Sequence, residues 1–269
     1  MKKTILITGS TDGIGLETAK MLVEAGHNVL LHGRNPAKLQ DTVSSLKVHP
    51  AGGTVEQFKA DLSRMREVES LARAVAEKHT TLDVLINNAG VYSAPTVTTQ
   101  DGLDVRFAVN TIAPYLLTQR LLPLLGASGR VINLSSAAQS PVDPMALTGQ
   151  IVLPDGTAYA QSKLALTMWS RALAQSLGDT GPAIIAVNPG SLLGSKMVKE
   201  AYGMGGGDLR IGANILARAA LDDEFAGASG QYFDNDQGQF APPHPDALDP
   251  TKSNEIVRII EAVLAKLQT

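Results

Sequence analysis

Cysteine is absent from this chain of 269 residues, and aromatic residues make up only 4% of it. Without thiols the protein forms no disulfide, thiolate zinc site, iron–sulfur cluster or cysteine nucleophile. The histidines lie at positions 27, 32, 49, 79 and 244, a spacing that does not suit metal ligands. We therefore assign them packing or surface positions and predict no metal site.

An excess of charge of either sign is also missing, because 23 basic and 26 acidic residues give a net charge of −3. This balance disfavours a protein that neutralises many phosphates of a nucleic acid. The apolar runs are short, and none has the length of a membrane span or the pattern of a signal peptide. We expect a cytoplasmic enzyme or binding protein with neither a nucleic-acid nor a membrane partner.

Short apolar runs alternate with longer amphipathic ones, which is the pattern of repeated βαβ units. Runs such as Val29-Leu30-Leu31 are continuously apolar, as in parallel strands buried on both faces. We predict one α/β domain over residues 1–269, with a doubly wound, mostly parallel sheet of seven strands. The predicted strands are 4–8, 28–32, 55–59, 84–86, 130–134, 183–187 and 231–233. The predicted helices are 14–25, 36–47, 64–78, 103–125, 157–178, 209–221 and 252–267.

Three longer stretches interrupt this alternation, at residues 137–156, 191–208 and 234–250. The first two follow the carboxyl ends of predicted strands, where open α/β sheets bind their ligands. Long loops of this kind are more often functional than idle. We predict that all three contact the substrate and that the glycine-rich run 203–207 forms a mobile cover.

A glycine-rich turn, Thr8-Gly9-Ser10-Thr11-Asp12-Gly13-Ile14-Gly15, follows the first strand and opens the first helix. Missing side chains let the chain turn tightly and approach a pyrophosphate, whose charge the helix N-terminus favours. The turn predicts a Rossmann-type dinucleotide site, with a purely structural turn as the alternative. Its predicted contacts are Gly9, Ser10, Thr11, Gly13, Ile14 and Gly15.

The second strand ends in His32-Gly33-Arg34-Asn35. A carboxylate at this place would bind the ribose hydroxyls of NAD, whereas an arginine neutralises the 2′-phosphate of NADP. Arg34, with Asn35 beside it, favours NADP and leaves NAD possible; a solvated surface arginine is the alternative. Further candidate cofactor contacts follow strands three and four, namely Asp61, Leu62, Asn88, Ala89 and Gly90. An acidic residue near a helix N-terminus explains Asp61 equally well.

Tyr159 and Lys163 are four residues apart and therefore share one face of a predicted helix. A phenol with a pKa near 10 is a poor acid–base group at neutral pH, but a nearby ammonium and a positive nicotinamide ring lower that pKa. Ser136, at the end of the fifth strand, could hydrogen-bond the same carbonyl oxygen. The three residues predict a proton donor and an orienting group at one place.

Together these motifs resemble the short-chain dehydrogenase/reductase family, from Thr8 to about Phe233. The glycine turn matches the family's T-G-x-x-x-G-x-G, residues 87–90 its N-N-A-G, and residues 159–163 its Y-x-x-x-K. The resemblance implies that Tyr159 is the general acid/base and that Lys163 is its electrostatic partner and a ribose ligand. It also implies that Ser136, rather than Ser135, stabilises the carbonyl and that Asn110 takes part in a proton relay.

The resemblance has further implications. Pro189 and Gly190 match the pair that borders the nicotinamide, and Leu192 follows in the same cofactor segment. A homodimer or homotetramer through helices 103–125 and 157–178 is a family-level expectation. Pro114 lies four residues after Asn110 and has no N–H, so we predict a kink that frees the Asn110 carbonyl to hold a water of the relay; a simple bend is the alternative.

Two features depart from the common family pattern. Tyr159 lies 23 positions after Ser136, about ten more than in many members, which resembles the retinol-dehydrogenase-like and WW-domain-oxidoreductase branch and its apolar carbonyl or alcohol substrates. The membrane anchor of some of those relatives is not found in this sequence. Gly194 stands where the family often has a threonine that contacts the carboxamide, and Ser195 is the nearest substitute.

The sequence thus predicts an NAD(P)-dependent oxidoreductase, NADP preferred, that interconverts a carbonyl and an alcohol on a small, partly apolar substrate. One alternative is a dinucleotide-binding sensor or interaction protein without turnover, which the joint presence of Ser136, Tyr159 and Lys163 disfavours. Another is an epimerase or dehydratase of the extended branch. That branch needs a larger C-terminal substrate domain than the residues after Pro189 can supply.

Overall fold

The computed structural model describes residues 1–47, 53–194, 203 and 205–267. Its strands are β1 Thr4–Ile7, β2 Asn28–Gly33, β3 Val55–Lys59, β4 Leu82–Asn87, β5 Leu125–Leu134, β6 Ala183–Asn188, β7 Tyr232–Asp234 and β8 Gln239–Ala241. They form one sheet in the order β3-β2-β1-β4-β5-β6-β7-β8. Strands β1 to β7 pair in parallel, which confirms the doubly wound α/β sheet.

The sheet has one strand more than the seven predicted, because β8 pairs antiparallel with β7. This strand has three residues and lies inside the stretch 234–250, where its half-exposed sequence shows no strand pattern. Phe240 anchors it, with its ring centroid 5.1 Å from that of Phe233 and 5.2 Å from that of Phe225. Aromatic packing across the sheet, rather than local propensity, therefore accounts for β8.

Helices cover both faces of the sheet. Helices α1, α2 and α8 pack on one face and α3, α5, α7 and α10 on the other, so the apolar residues form two layers of core. The helix bounds are α1 Gly13–Glu24, α2 Pro36–Leu46, α3 Met65–Lys78, α4 Val105–Phe107, α5 Ala113–Leu121, α6 Pro144–Leu147, α7 Asp155–Leu177, α8 Leu209–Leu221, α9 Pro245–Leu248 and α10 Pro250–Leu267. The short helices α6 and α9 lie in stretches that were predicted to be loops.

The predicted single helix 103–125 is interrupted. A π-helical turn, Ala108–Ile112, separates α4 from α5, and the N–H of Ala113 donates to the carbonyl of Ala108. Pro114 lies in the first turn of α5 and cannot donate to the carbonyl of Asn110. The irregularity predicted from Pro114 is thus present, as a π-helical turn around Asn110.

The C-terminal helix α10 packs against α7 within the same chain. Its buried apolar residues are Ile256, Ile260, Val263 and Leu264, so this apolar face of the helix is part of the core. The hydroxyl of Tyr115 on α5 donates to Glu261 on α10 at 2.8 Å, and its ring meets Trp169 of α7 edge-on at 5.5 Å. These contacts cover part of the helix faces that the family resemblance assigned to a subunit interface.

The parallel strands bring the predicted site residues to one edge of the sheet. The segments after β1, β2, β3, β4, β5 and β6 all leave the sheet at its carboxyl edge. Open α/β sheets form their ligand-binding cleft at this edge. Within the described part of the chain, no helix combines the length and apolarity that crossing a membrane requires.

Candidate active site

The turn between β1 and α1 has a backbone that only glycine suits. Gly9 has a φ of +66° and Gly13 a φ of +56°. A Cβ on Gly9 would lie 2.9 Å from the Cα of Ala89, and one on Gly15 would lie 2.3 Å from the amide nitrogen of Asn88. The predicted glycines therefore allow a tight turn that packs closely against Asn88 and Ala89, at the N-terminus of α1 where an anion is favoured.

Buried hydrogen bonds hold this turn against β2. The hydroxyl of Ser10 donates to the carbonyl of His32 at 3.3 Å and accepts from its N–H at 2.9 Å. The N–H of Gly9 donates to Nδ1 of His32 at 3.1 Å, which leaves Nε2 to donate to the carbonyl of Ala60 at 3.1 Å. Ser10 was predicted to contact the cofactor, and the structure places its hydroxyl inside the protein, where it anchors the turn.

His32 is a residue whose function sequence analysis missed. Its ring is buried, and burial lowers its pKa from the usual 6.5 to about 4. The neutral ring at neutral pH is what allows Nδ1 to accept the N–H of Gly9. The only signal in the sequence was its position at the carboxyl end of β2, beside Gly33.

Residues after β4 brace the turn from the other side. The Asn88 amide donates to the carbonyls of Thr8 and Gly9 at 2.9 and 3.1 Å, and the N–H of Ala89 donates to the Thr8 hydroxyl at 3.1 Å. Asn88, Ala89 and Gly90, the predicted cofactor contacts after β4, are half-buried beside the turn. Their observed contacts are with the turn itself.

Two exposed basic side chains, Arg34 and Lys38, lie between the end of β2 and the first turn of α2. Arg34 is exposed, and no residue that the structure describes forms an ion pair with it. Asn35 accepts from the N–H of Lys38 at 3.1 Å and so caps α2, while the Lys38 ammonium lies 3.8 Å from Asp12. Arg34 is thus available to an anion at the end of β2.

Three other predicted cofactor contacts have observed structural partners. One carboxylate oxygen of Asp61 accepts from the N–H and hydroxyl of Ser63, at 3.0 and 2.8 Å, and Leu62 is buried in the core. Ile14 is half-buried, close to Gly212 of α8. Asp61 thus binds Ser63 in the turn that precedes α3.

Helix α7 brings Tyr159 and Lys163 together. The Lys163 ammonium is buried, donates to the carbonyl of Leu134 at 2.7 Å and lies 5.6 Å from the centroid of the Tyr159 ring. Burial lowers the pKa of Lys163 to about 7. Since Leu134 ends β5, these contacts fix the half-buried phenol beside the carboxyl edge of the sheet.

The two serines after β5 differ in their surroundings. Ser135 is buried, with its hydroxyl 2.7 Å from that of Thr167 on α7. Ser136 is half-exposed, and its hydroxyl accepts from the N–H of Ala138 at 3.1 Å while keeping its proton for another acceptor. The geometry therefore favours Ser136 for contact with a ligand.

The side chain of Asn110 is fully engaged within the protein. Its oxygen accepts from the N–H of Val91 at 2.8 Å, and its nitrogen donates to the Val91 carbonyl and to the Ser162 hydroxyl, both at 2.9 Å. Ser162 in turn donates to the carbonyl of Tyr159 at 2.7 Å. Asn110 thus connects the loop after β4 to the helix that carries the tyrosine and the lysine.

Tyr92 is a second residue that sequence analysis missed. Its ring lies 5.2 Å from that of Tyr159, at an interplanar angle of 50°. It follows Val91, whose N–H and carbonyl are both bound by Asn110. An aromatic side chain on a loop carries no motif, so only the fold could place it beside the phenol.

The segment after β6 is fixed by polar contacts from the turn after β7. Gly190 has a φ of +119° and Leu192 a φ of +52°. Asn235 donates to the carbonyl of Pro189 at 2.9 Å, and Asp236 accepts from the N–H and hydroxyl of Ser191 at 2.8 and 2.6 Å. Ser195 and part of the predicted cover 203–207 lie outside the described residues.

The stretch 234–250 also approaches Ser136. The Ser136 carbonyl accepts from the Tyr232 hydroxyl at 3.1 Å and from the Gln139 amide at 2.9 Å, and Gln139 accepts from the N–H of His244 at 3.4 Å. The stretches that begin at residues 137 and 234 therefore meet at the edge of the cleft.

Comparisons with known proteins show the family to which this chain belongs. Residues 3–204 match the sequence profile of the short chain dehydrogenase family. The chain is 30% identical to retinol dehydrogenase 13 of Homo sapiens over 291 aligned positions, which cover 98% of this chain and 84% of that protein.

Two solved structures have the same fold. An uncharacterized protein from Mycobacterium paratuberculosis superposes with a TM-score of 0.80 at 25% identity, over 97% of this chain and 92% of that one. A short chain dehydrogenase from Burkholderia cenocepacia J2315 in complex with NADP gives a TM-score of 0.69 at 26% identity, over 87% and 95%. This chain therefore belongs to the short-chain dehydrogenase family of NAD(P)-dependent alcohol and carbonyl oxidoreductases.

Proposed function

We propose that this protein interconverts a carbonyl and an alcohol with NADP, using Tyr159 as the general acid/base. The observation that carries the proposal is the pairing of the buried Lys163 ammonium with the Tyr159 ring on α7, beside the carboxyl edge of β5. An ammonium in this position stabilises a phenolate and so eases proton transfer at the phenol oxygen.

The dinucleotide fits the residues present. The glycines let the turn Gly9–Gly15 pack closely against Asn88 and Ala89 at the start of α1, and Gly9, Thr11, Gly13 and Ile14 would border the pyrophosphate there. Arg34, exposed and without an ion-pair partner among the described residues, would neutralise a 2′-phosphate, with Lys38 one helical turn beyond it. The same positions would admit NAD with weaker binding.

The remaining predicted cofactor contacts are part of the same proposal. Asn35, Asp61 and Leu62 would border the adenosine, and Asn88, Ala89 and Gly90 would border the central ribose. Pro189, Gly190 and Leu192 would border the nicotinamide, and Ser10 would contribute by holding the turn. When bound, the cofactor supplies or removes the hydride.

The residues of this chain would divide the remaining chemistry. In reduction the Ser136 and Tyr159 hydroxyls would hydrogen-bond the carbonyl oxygen and polarise it, and Tyr159 would then give that oxygen its proton. Lys163 would stabilise the phenolate that forms, and a water at the π-helical turn around Asn110 would return the proton. The Asn110 side chain would keep α7 in register through Ser162.

A partly apolar substrate suits the walls of the cleft. Tyr92 presents an aromatic ring beside Tyr159, and the stretch 137–156 exposes Met145 and Val152. Of the other two predicted substrate stretches, residues 191–194, 205–208 and 234–250 would complete the substrate site around them. The similarity to a retinol dehydrogenase supports an apolar alcohol or its aldehyde as the substrate class.

Assembly and location are further parts of the proposal. We infer a homodimer or homotetramer whose interface avoids the face of α7 that α10 covers, since that face is buried within one chain. Analytical sedimentation of the purified protein would give the mass of the assembly and so the number of subunits. The cytoplasmic location stays a prediction that cell fractionation tests.

Oxidation of NADPH in the presence of a panel of aliphatic, aryl and polyene aldehydes and ketones tests the proposed reaction. Turnover that depends on the carbonyl supports the proposal. Tight binding of NADPH with no turnover across the panel would favour the non-catalytic sensor, and conversion of a nucleotide sugar without net consumption of cofactor would favour the extended-branch alternative.

A further inference from the structure

Arg106 on α4 is a guanidinium buried completely inside the protein. A guanidinium stays protonated in proteins, so its burial requires compensating partners. Nε donates to Asp104 Oδ1 at 2.8 Å and Nη2 to Asp104 Oδ2 at 2.6 Å, which makes a bidentate pair. This pair satisfies one side of the guanidinium and leaves the other side free to bind elsewhere.

The other side binds the entrance of α7. Nη2 donates to the carbonyl of Leu153 at 3.2 Å, and Nη1 donates to the carboxylate of Asp155. Pro154 is the N-cap residue of α7 and offers no side-chain hydrogen bond to the helix start. Arg106 therefore holds the entry to a helix that has no cap of its own.

The spacing relates this contact to the reacting groups. Asp155 precedes Tyr159 by four residues, and Arg106 precedes Asn110 by four, so each lies about one helical turn or 6 Å away. Beyond Tyr159, Ser162 is held by Asn110 and by the Thr111 hydroxyl, which donates to the Ser162 carbonyl at 2.8 Å. The segment that bears Tyr159 is thus fixed on both sides by residues of α4 and the π-helical turn.

We propose that Arg106 is a positioning residue for Tyr159, acting through Leu153 and Asp155, and that it fixes the end of the stretch 137–156 beside the reacting centre. This inference rests on the proposed function. A reacting group that is displaced by about 1 Å can lower a reaction rate by about 100-fold. Without its anchor, the first turn of α7 therefore impairs proton transfer by Tyr159 more than it impairs cofactor binding.

Asp155 is the right position for a test. Removal of Arg106 would leave the buried Asp104 carboxylate unpaired and endanger folding. The Asp155 side chain is 48% exposed, so Asp155→Ala leaves the Arg106–Asp104 pair intact. Asp155→Asn keeps an oxygen that can accept from Arg106 and serves as the conservative variant.

Asp101→Ala is the matched control. Asp101 accepts from the N–H of Met65 at 2.7 Å and so holds the start of α3, as Asp155 holds the start of α7. This hydrogen bond involves none of the proposed site residues. A general loss of helix anchoring would therefore show in both variants.

Two measurements on the full chain test whether Arg106 positions Tyr159. One is amide hydrogen exchange over residues 155–163, and the other is steady-state NADPH oxidation with the best carbonyl substrate of the panel. For Asp155→Ala we expect faster exchange in this segment and a kcat lower by about tenfold, with the Kd for NADPH within about twofold of wild type. Asp155→Asn should recover most of the kcat, and Asp101→Ala should match wild type in both readouts.

Unchanged exchange, unchanged kcat, or an equal loss in Asp101→Ala would overturn the positioning function of Arg106. Absence of turnover in the wild-type protein would instead overturn the proposed reaction. In that case the exchange comparison alone decides whether Arg106 anchors α7, so the two failures are distinguishable.

Discussion

The cofactor side and the substrate side of the cleft are held in different ways. On the cofactor side, the turn after β1 needs residues without side chains, and a Cβ on Gly15 would lie only 2.4 Å from the Gly9 carbonyl oxygen. On the substrate side, pairs of polar side chains from different elements hold the chain in place, such as Arg106 with Asp155 and Asn110 with Ser162. Backbone shape defines the first region and long-range side-chain pairs define the second.

This difference explains why a sequence motif identifies the cofactor side and none identifies the contacts of the substrate side. A backbone position that needs a positive φ selects glycine, so the requirement is visible in the sequence at that position. A long-range pair of side chains gives no such signal, because each partner alone is an ordinary polar residue in a loop or a helix. Substitutions in the first region should therefore affect binding of the dinucleotide, and those in the second should affect turnover.

Replacement of the acid/base should have the largest effect. Tyr159→Phe removes the proton donor and keeps the ring, so we expect kcat to fall by about a thousandfold while the Kd for NADPH stays within about twofold. Stopped assays at saturating NADPH and fluorescence titration measure the two quantities. Tyr115→Phe, which also removes a phenol hydroxyl but one that binds Glu261 on α10, is the control and should retain its kcat.

The choice of cofactor should depend on Arg34. Arg34→Asp replaces a cation by an anion where the 2′-phosphate would bind, and we expect NADPH binding to weaken by about 100-fold relative to NADH binding. Titration with both cofactors gives the ratio. Arg73→Asp, on the exposed face of α3, makes the same charge change elsewhere and should leave the ratio unaltered. Equal weakening of both cofactors by Arg34→Asp would contradict the assignment.

The pH dependence should report Lys163. Its pKa is lowered to about 7, so the ammonium loses its proton as the pH rises through that value and the phenolate loses its stabilising charge. We expect kcat/KM for NADPH in carbonyl reduction to fall above about pH 7, by up to about tenfold per pH unit. Lys163→Arg keeps the charge and should remove this decrease. A flat profile from pH 6 to 9 in the wild type would refute the assignment.

His32 should have the smallest effect. His32→Leu removes the acceptor for the N–H of Gly9, a bond worth about 1 kcal/mol, so we expect the Kd for NADPH to rise by about fivefold with kcat retained. His27→Leu is the matched control, because His27 accepts from the N–H of Lys3 at 3.1 Å at the far end of the same strand. A similar loss in both variants would mean that His32 acts only on stability.

The sequence alone predicted the doubly wound sheet, the glycine turn after β1 and the pairing of Tyr159 with Lys163 on α7. The alternation of apolar runs, the glycine pattern and the helical spacing that indicate them each lie within a short segment of chain. It did not predict β8, which depends on Phe240 packing across the sheet, or the helices α6 and α9. Nor did it predict that Ser10 is buried, since a hydroxyl in a turn looks the same whether it faces a ligand or His32. The contacts of Tyr92 and Arg106 required the tertiary structure.

A crystal structure with NADP and an unreactive carbonyl analogue bound tests the central claim most directly. The account predicts that the Tyr159 hydroxyl lies within hydrogen-bonding distance of the analogue's oxygen and that its carbonyl carbon lies about 3.5 Å from the C4 atom of the nicotinamide. A Tyr159 hydroxyl turned away from the analogue, or a cofactor bound away from the turn of Gly9 and Gly13, would contradict it.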